Sequence, residues 1–336
     1  MDPVQADPEL QAFLVDAGLA TTGEAQTWTP LSGGVSSDIW RVGLERGPVC
    51  VKRALAQLRV KDVWHAPPDR NIYEYRWFAA ARRWLPDAAP EPLALDVERR
   101  LLAMEFLEPG LHPLWKGELL AGRVDPVFAG VVGDRLGVIH AASSKEPELA
   151  AEFATDAGFF ALRLEAYLLA TAERRPEVAA GIRALAARTA GTHLALVHGD
   201  VSPKNILVGP KGPVFLDAET AWWGDPAFDL AFCLNHLLLK RLPVIGRDAQ
   251  LNASFTALAG AYLAHVDWEP PAELEARAAS LLPALMLARV DGKSPAEYIT
   301  RDLQKDQVRA AAVPLVQHPA RTLEAVRAAW DRELNR

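Results

Sequence analysis

The stretch from Leu194 to Glu219 constrains the fold most, because it sets short apolar strands and polar turns inside a half-chain that otherwise has helical periodicity. Leu194–Val197, Ile206–Val208 and Val214–Leu216 read as strands. The first leads into the polar run His198-Gly199-Asp200-Val201-Ser202-Pro203-Lys204-Asn205, and the last opens onto Asp217 and Glu219. A lone Asp after a strand is ordinarily a turn residue or a helix cap, and a lone His is ordinarily a satisfied core residue. Strand, polar loop, hairpin and acidic pair in one short stretch form a more specific pattern. Moving a phosphoryl group onto a hydroxyl needs a carboxylate near the acceptor and oxygen donors for a divalent cation. In that chemistry Asp200 takes the acceptor proton and His198 orients the loop. Asn205 and the alternate carboxylates Asp217 and Glu219 supply the metal ligands.

The rest of the chain frames this island. A helix over about residues 7–18 has Asp7 as its cap, Pro8 in its first turn and Gly18 at its end. Residues 27–54 alternate β-formers with turns. A helix is expected from Arg70 to Trp84, then strands near Leu93–Leu95 and over Leu101–Leu107, closed by Glu108-Pro109-Gly110. Helices follow from Asp125-Pro126 to about Ala142, over 159–190, and after the island to about Leu334. The expectation is an α+β fold in two lobes: a β-rich N-terminal lobe over 1–107 and a helical C-terminal lobe over 108–336 that carries the site.

Beyond the island, Gly224-Asp225-Pro226 looks like a helix start with Asp225 as cap. Asp229 lies on the first turn of that largely apolar helix and needs a partner, which the backbone of the 198–205 loop would give it. In the N-terminal part, Ser32, Gly33, Gly34, Ser36 and Ser37 make a small-residue loop of the sort that approaches phosphates, although a plain hairpin turn fits the loop taken alone. Lys52 ends an apolar strand upstream of a helix carrying Glu74, the arrangement by which kinases grip nucleotide phosphates.

These residues together resemble the aminoglycoside phosphotransferase family, also described as choline-kinase-like. The likeness covers roughly residues 28–240 and is most specific at His198-x-Asp200-x4-Asn205, Asp217 and Gly224-Asp225-Pro226-x-x-Asp229. It implies a protein-kinase-like fold, Asp200 as base, Asn205 and Asp217 on Mg²⁺, and Lys52 on ATP, with GTP as an alternative. Glu105, Phe106 and Leu107, at the join of the lobes, complete the nucleotide-contacting set. Val51-Lys52-Arg53-Ala54-Leu55, Leu58-Arg59-Val60, Trp64 with Pro68-Asp69-Arg70, and Asn235-x-Leu237-Leu238-Leu239 are similar to the methylthioribose kinase branch. Arg289 stands where that branch tends to have a pair of arginines, and Asn205 is kept although that branch does not require it.

The acceptor is expected to be a small hydroxyl-bearing molecule. Gly199 replaces the arginine that would pair with a phosphorylated activation loop, and the segment from Asp217 to Gly224 is too short for a peptide platform. Trp222 and Trp223 form either an acceptor wall or core packing, and Arg70 and Arg289, with His65 and Lys293, could serve a polyol or an anion. An aminoglycoside-type antibiotic kinase and a non-catalytic nucleotide-binding module are the alternatives. A net charge of −7 lacks the basic footprint of a nucleic-acid binder. The two cysteines, Cys50 and Cys233, lie far apart in apolar runs, which suits reduced core thiols. No apolar signal core or bilayer-length segment is evident, so the expectation is a cytoplasmic protein with no membrane partner. The late helices form either a dimer surface or a cover for the C-terminal lobe.

Overall fold

A computed structural model describes residues 7–31, 37–55 and 69–336. Strands β1 (Thr27–Pro30), β2 (Ser37–Gly43), β3 (Val49–Ala54), β4 (Pro92–Asp96) and β5 (Leu101–Glu105) form an antiparallel sheet in the order β1-β2-β3-β5-β4. Side-chain alternation decides what each face of β3 meets. Val49 and Val51 pack into a small core with Leu10, Phe13 and Leu14 of α1 (Pro8–Asp16). Cys50 lies on the opposite face with Lys52, and joins the main core beside Trp77 and Phe78 of α2 (Arg70–Trp84). The sheet is therefore covered on both faces, and Lys52 is turned toward α2.

Local chemistry sets the helix ends. Asp7 Oδ1 accepts from Glu9 N–H at 3.1 Å at the start of α1, and Gly18 leaves it at φ 68°. Asn71 of α2 donates to the carbonyls of Lys52 (3.2 Å) and Arg100 (2.9 Å), tying the helix to the ends of β3 and β5.

After β5 come α3 (Trp115–Leu120), α4 (Pro126–Ser143), and the short helices α5 (Leu149–Glu152) and α6 (Asp156–Phe159). A π-helical segment, Phe160–Leu169, continues into α7 (Ala170–Arg174), followed by α8 (Ala179–Ala190). The β island consists of two ribbons: β6 (Ala195–Val197) pairs with β9 (Trp222–Gly224), and β7 (Ile206–Gly209) with β8 (Gly212–Phe215). β9 is not among the strands read from sequence, and β8 stops one residue early, although Leu216 N–H still donates to Asn205 O at 2.8 Å in the register of the ribbon. Helices α9 (Ala227–Lys240), α10 (Asp248–Leu263), α11 (Pro271–Asp291), α12 (Asp302–Gln317) and α13 (Leu323–Leu334) complete the chain.

Helices α4 and α10 cross closely at Gly133, where an added Cβ would lie 2.1 Å from Leu258 O. Cys50 and Cys233 are both buried, and burial, followed by the Glu74 charge, pushes the Cys50 thiol up to about 12. Among the described residues no helix is long and apolar enough to cross a membrane.

Candidate active site

The loop after β6 is held from beneath by α9. Asp229 accepts from His198 N–H at Oδ2 (2.7 Å) and from Gly199 N–H at Oδ1 (2.9 Å), and His140 Nε2 lies 3.3 Å from Oδ2. Gly199 sits at φ 80°, with Thr220 O only 2.6 Å from where a Cβ would be, so the turn has room for glycine alone. His198 Nδ1 accepts from Asp200 N–H at 3.1 Å, which places the ring proton on Nε2, 3.1 Å from Leu216 O. Both ring nitrogens are bonded to the backbone, and burial holds the imidazole below its ordinary value. Grouped with Asp200 on sequence grounds, His198 thus orients the loop and has no nitrogen left to move a proton.

Asp200 is buried and its two oxygens differ. Oδ2 meets Arg163 Nη2 at 3.0 Å, Lys204 Nζ at 2.9 Å and Asn205 Nδ2 at 2.9 Å. Oδ1 is buried and has no hydrogen-bond partner among the described residues. Burial acts to raise this carboxyl, but Arg163 and then Lys204 more than reverse it, so the group stays ionised below the usual carboxylate range. Arg163 also binds Gly199 O at 2.5 Å.

On the sheet side, Lys52 is 2 % exposed and bonds Glu74 Oε2 at 2.7 Å and Asp217 Oδ1 at 2.6 Å. Burial raises Glu74 to about 7, the Lys52 charge reversing only part of the shift; Asp217 is lowered overall because Lys52 and Lys204 outweigh burial. Asp217 takes the left-handed conformation, φ 64°, which is uncommon outside glycine and is found at functional sites. The Leu216–Asn205 bond brings Asn205 beside Asp217. Nδ2 of Asn205 is committed to Asp200, which leaves its carbonyl oxygen as a ligand. That oxygen and the Asp217 carboxylate are hard donors, so the pair fits a cation such as Mg²⁺. Glu219, grouped with them on sequence grounds, accepts from Arg70 Nε at Oε2 (3.2 Å). Among the described residues no three His, Cys, Asp or Glu side chains converge as a metal cluster.

Ser32, Gly33, Gly34, Ser36 and His65, and the 58–60, Trp64 and Pro68 matches, lie outside the described residues. Ser37 is buried in β2. Glu105 ends β5, with Phe106 just beyond under the Arg41 guanidinium at 5.1 Å, followed by Leu107. Arg70 also holds Leu55 O at 3.1 Å, which puts it on the sheet side with the nucleotide set and not with the acceptor set. Trp222 is a core residue: it is 1 % exposed and stacks on Phe159 at 4.1 Å. Its β9 neighbour Trp223 packs half-buried against the same core, its backbone N–H on Phe153 O. The acceptor-wall reading therefore fails for Trp222, because pairing of β9 with β6 turns that ring inward. Asp225 caps α9 through Ala227 N–H at 3.0 Å and pairs with Arg277 at 3.1 Å. Lys293 pairs with Glu165 at the surface.

Sequence reading missed Arg163 and Lys204. The signal for Arg163 was a single arginine in the apolar run Phe159–Leu164. Lys204 stood inside the loop motif, four residues after Asp200, where a turn of helix over Pro203–Asn205 brings its ammonium back.

A family model described as "Phosphotransferase enzyme family" matches residues 27–274. Methylthioribose kinase 1 of Oryza sativa subsp. japonica is 24 % identical over 277 residues, covering 74 % of this chain and 63 % of that protein. The chain spans about three fifths of the length of the curated relatives it matches. A choline/ethanolamine kinase family protein from Mesorhizobium loti has a similar structure, with TM-score 0.53 and 17 % identity, over 96 % of this chain and 99 % of that one. Amicoumacin kinase hAmiN, solved in complex with AMP-PNP, Ca²⁺ and Ami, also has TM-score 0.53, at 14 % identity over 95 % and 98 % of the chains. These likenesses give the chain the two-part, kinase-like fold, with the sheet in the N-terminal part and the helices in the C-terminal part.

Proposed function

The chain belongs to the phosphotransferase enzyme family, and from that premise we propose that it is an ATP-dependent kinase acting on a hydroxyl group of a small molecule, with Asp200 as general base. The observation that carries this reading is the asymmetry of Asp200. Oδ2 is fixed by three donors, while the buried Oδ1 has no partner among the described residues and can accept a hydroxyl proton.

In the reaction the acceptor O–H proton passes to Asp200 Oδ1. The acceptor oxygen then bonds the terminal phosphorus as the bridging P–O bond breaks and ADP leaves. Arg163, Lys204 and Asn205 keep the carboxylate ionised and aimed. Lys52, held by Glu74, offers its ammonium to the polyphosphate. Asn205 and Asp217 would hold Mg²⁺, which when bound neutralises phosphate charge. Residues 1–107 would form the nucleotide-binding lobe, with Glu105–Leu107 along the base, and 108–336 the acceptor lobe. ATP is the expected donor and GTP the alternative to be tested beside it. A non-catalytic nucleotide-binding module fits less well, since Lys52, Asp200, Asn205 and Asp217 are all present in one arrangement.

The test is ADP release with Mg-ATP across methylthioribose, other sugars, amino sugars, aminoglycosides and amino alcohols. Asp200→Asn should lower acceptor-dependent turnover about 100-fold or more while retaining nucleotide binding. Equal turnover in the variant would overturn the assignment of the base.

A further inference from the structure

We propose that the acceptor carries an anion, a phosphate or carboxylate held by the side-chain cluster of Lys240, Arg289 and His236, next to Lys204 and Lys116. The inference rests on the kinase reading and narrows its substrate class.

One face of α9 presents Phe232, His236 and Lys240 at four-residue intervals. Tyr298 comes from the loop after α11, with its hydroxyl 3.3 Å from His236 Nδ1 and its ring centroid 3.4 Å from Lys240 Nζ. Phe232 lies 5.4 Å from the His236 ring and 5.5 Å from Tyr167. The Tyr167 hydroxyl is 3.3 Å from Arg289 Nη1, and its ring is 5.8 Å from the Arg163 guanidinium that holds Asp200. The cluster thus adjoins the catalytic loop through a continuous set of contacts. Lys116, at the start of α3, packs near Pro203–Asn205 and pairs with Glu297, next to Tyr298.

Lys204 is paired with Asp200 and Lys116 with Glu297, but among the described residues Lys240, Arg289 and His236 have no carboxylate partner. Lys240 is 1 % exposed, and among the described residues its ammonium makes no hydrogen bond or ion pair, only the contact with the Tyr298 ring. Among the described residues, His236 Nε2 and Arg289 Nε are buried without hydrogen-bond partners. Glu297 is the nearby carboxylate and is taken by Lys116. Burial lowers Lys240 to about 7 against the opposing pull of Glu297, and Lys116 and then Arg289 add to the drop. Burial sets His236 well below its ordinary value, and Arg289, Lys240, Lys204 and Lys116 add to the effect. A buried cation without a counter-charge destabilises a fold. Lys240 and Arg289, linked to the catalytic loop through Tyr167 and Arg163, form with His236 a site that a ligand anion completes and a polycation avoids.

The test is ADP release by the full chain with Mg-ATP on matched acceptors: ribose against ribose 5-phosphate, and glycerol against glycerate. In at least one pair the charged member should have kcat/KM about 10- to 100-fold higher, the range for a hydrogen bond to a charged group. Lys240→Met should shrink that ratio about tenfold, mainly through KM. Lys116→Gln, at the rim, should shrink it as well and serves if Lys240→Met folds poorly. Preference for ribose 5-phosphate assigns phosphate, and preference for glycerate assigns carboxylate. Turnover of neutral acceptors alone, or a charged-to-neutral ratio that neither variant changes, overturns the anion site and leaves the kinase reading standing. ADP release with no acceptor of either charge overturns both.

Discussion

Lys240 has a folded-state value of about 7 against an ordinary 10.5. Between those values the unfolded chain binds a proton there that the folded chain does not, so stability rises with pH across the window and the full cost applies below it. Lys240→Met removes the cost. Its melting temperature should exceed the parent's by several degrees at neutral pH and below, with the gain fading as pH climbs toward 10.5. Calorimetry at both ends of the window reads this directly. A gain in stability joined to a loss of acceptor discrimination is what a functional residue shows. Arg163 makes the converse case. Removing that cation as Arg163→Met should let burial raise Asp200, so the acid limb of the kcat profile should move up by about one to three pH units. An unmoved limb would show that Lys204 alone keeps the carboxylate charged. Asp200, Asn205, Lys52 and Glu74 were legible because their spacing encodes their chemistry. Arg163 was not, since its role depends on which way a helix turns it.

At the scale of elements, the π-helical segment Phe160–Leu169 does that turning, placing Arg163 and Tyr167, four apart, along the cationic side of the site. A wider i→i+5 turn has no distinct sequence signature, so Arg289, Tyr167 and Arg163 could not be joined from sequence. The helix Arg70–Trp84 was legible because Ile72, Trp77, Phe78 and Ala81 recur at helical spacing and Pro86 follows its end. β9 was not, because its pairing with β6 bridges the whole catalytic island and is decided by tertiary contact. That pairing also settled Trp222 as core. The crossing of α4 and α10 yields a further expectation. Gly133→Ala must push Leu258 and its backbone aside, and should destabilise by about 1–3 kcal/mol. Urea unfolding monitored by tryptophan fluorescence would show a lower midpoint at unchanged slope.

For the whole molecule, what joins the sheet to the helical part at the site is a few charges: Lys52 to Asp217, and Arg70 to Glu219. The pair Lys52–Asp217 links positions 165 residues apart. Contacts of such sequence separation pay the largest loop-closure entropy and close late when chains of this size fold part by part. On dilution from denaturant, far-UV helicity should therefore return before the chain can bind a nucleotide. A stopped-flow record in which the two signals recover together would contradict this. The site is then the last part of the molecule to exist, and partly refolded chains would carry a complete helical signature while remaining inert.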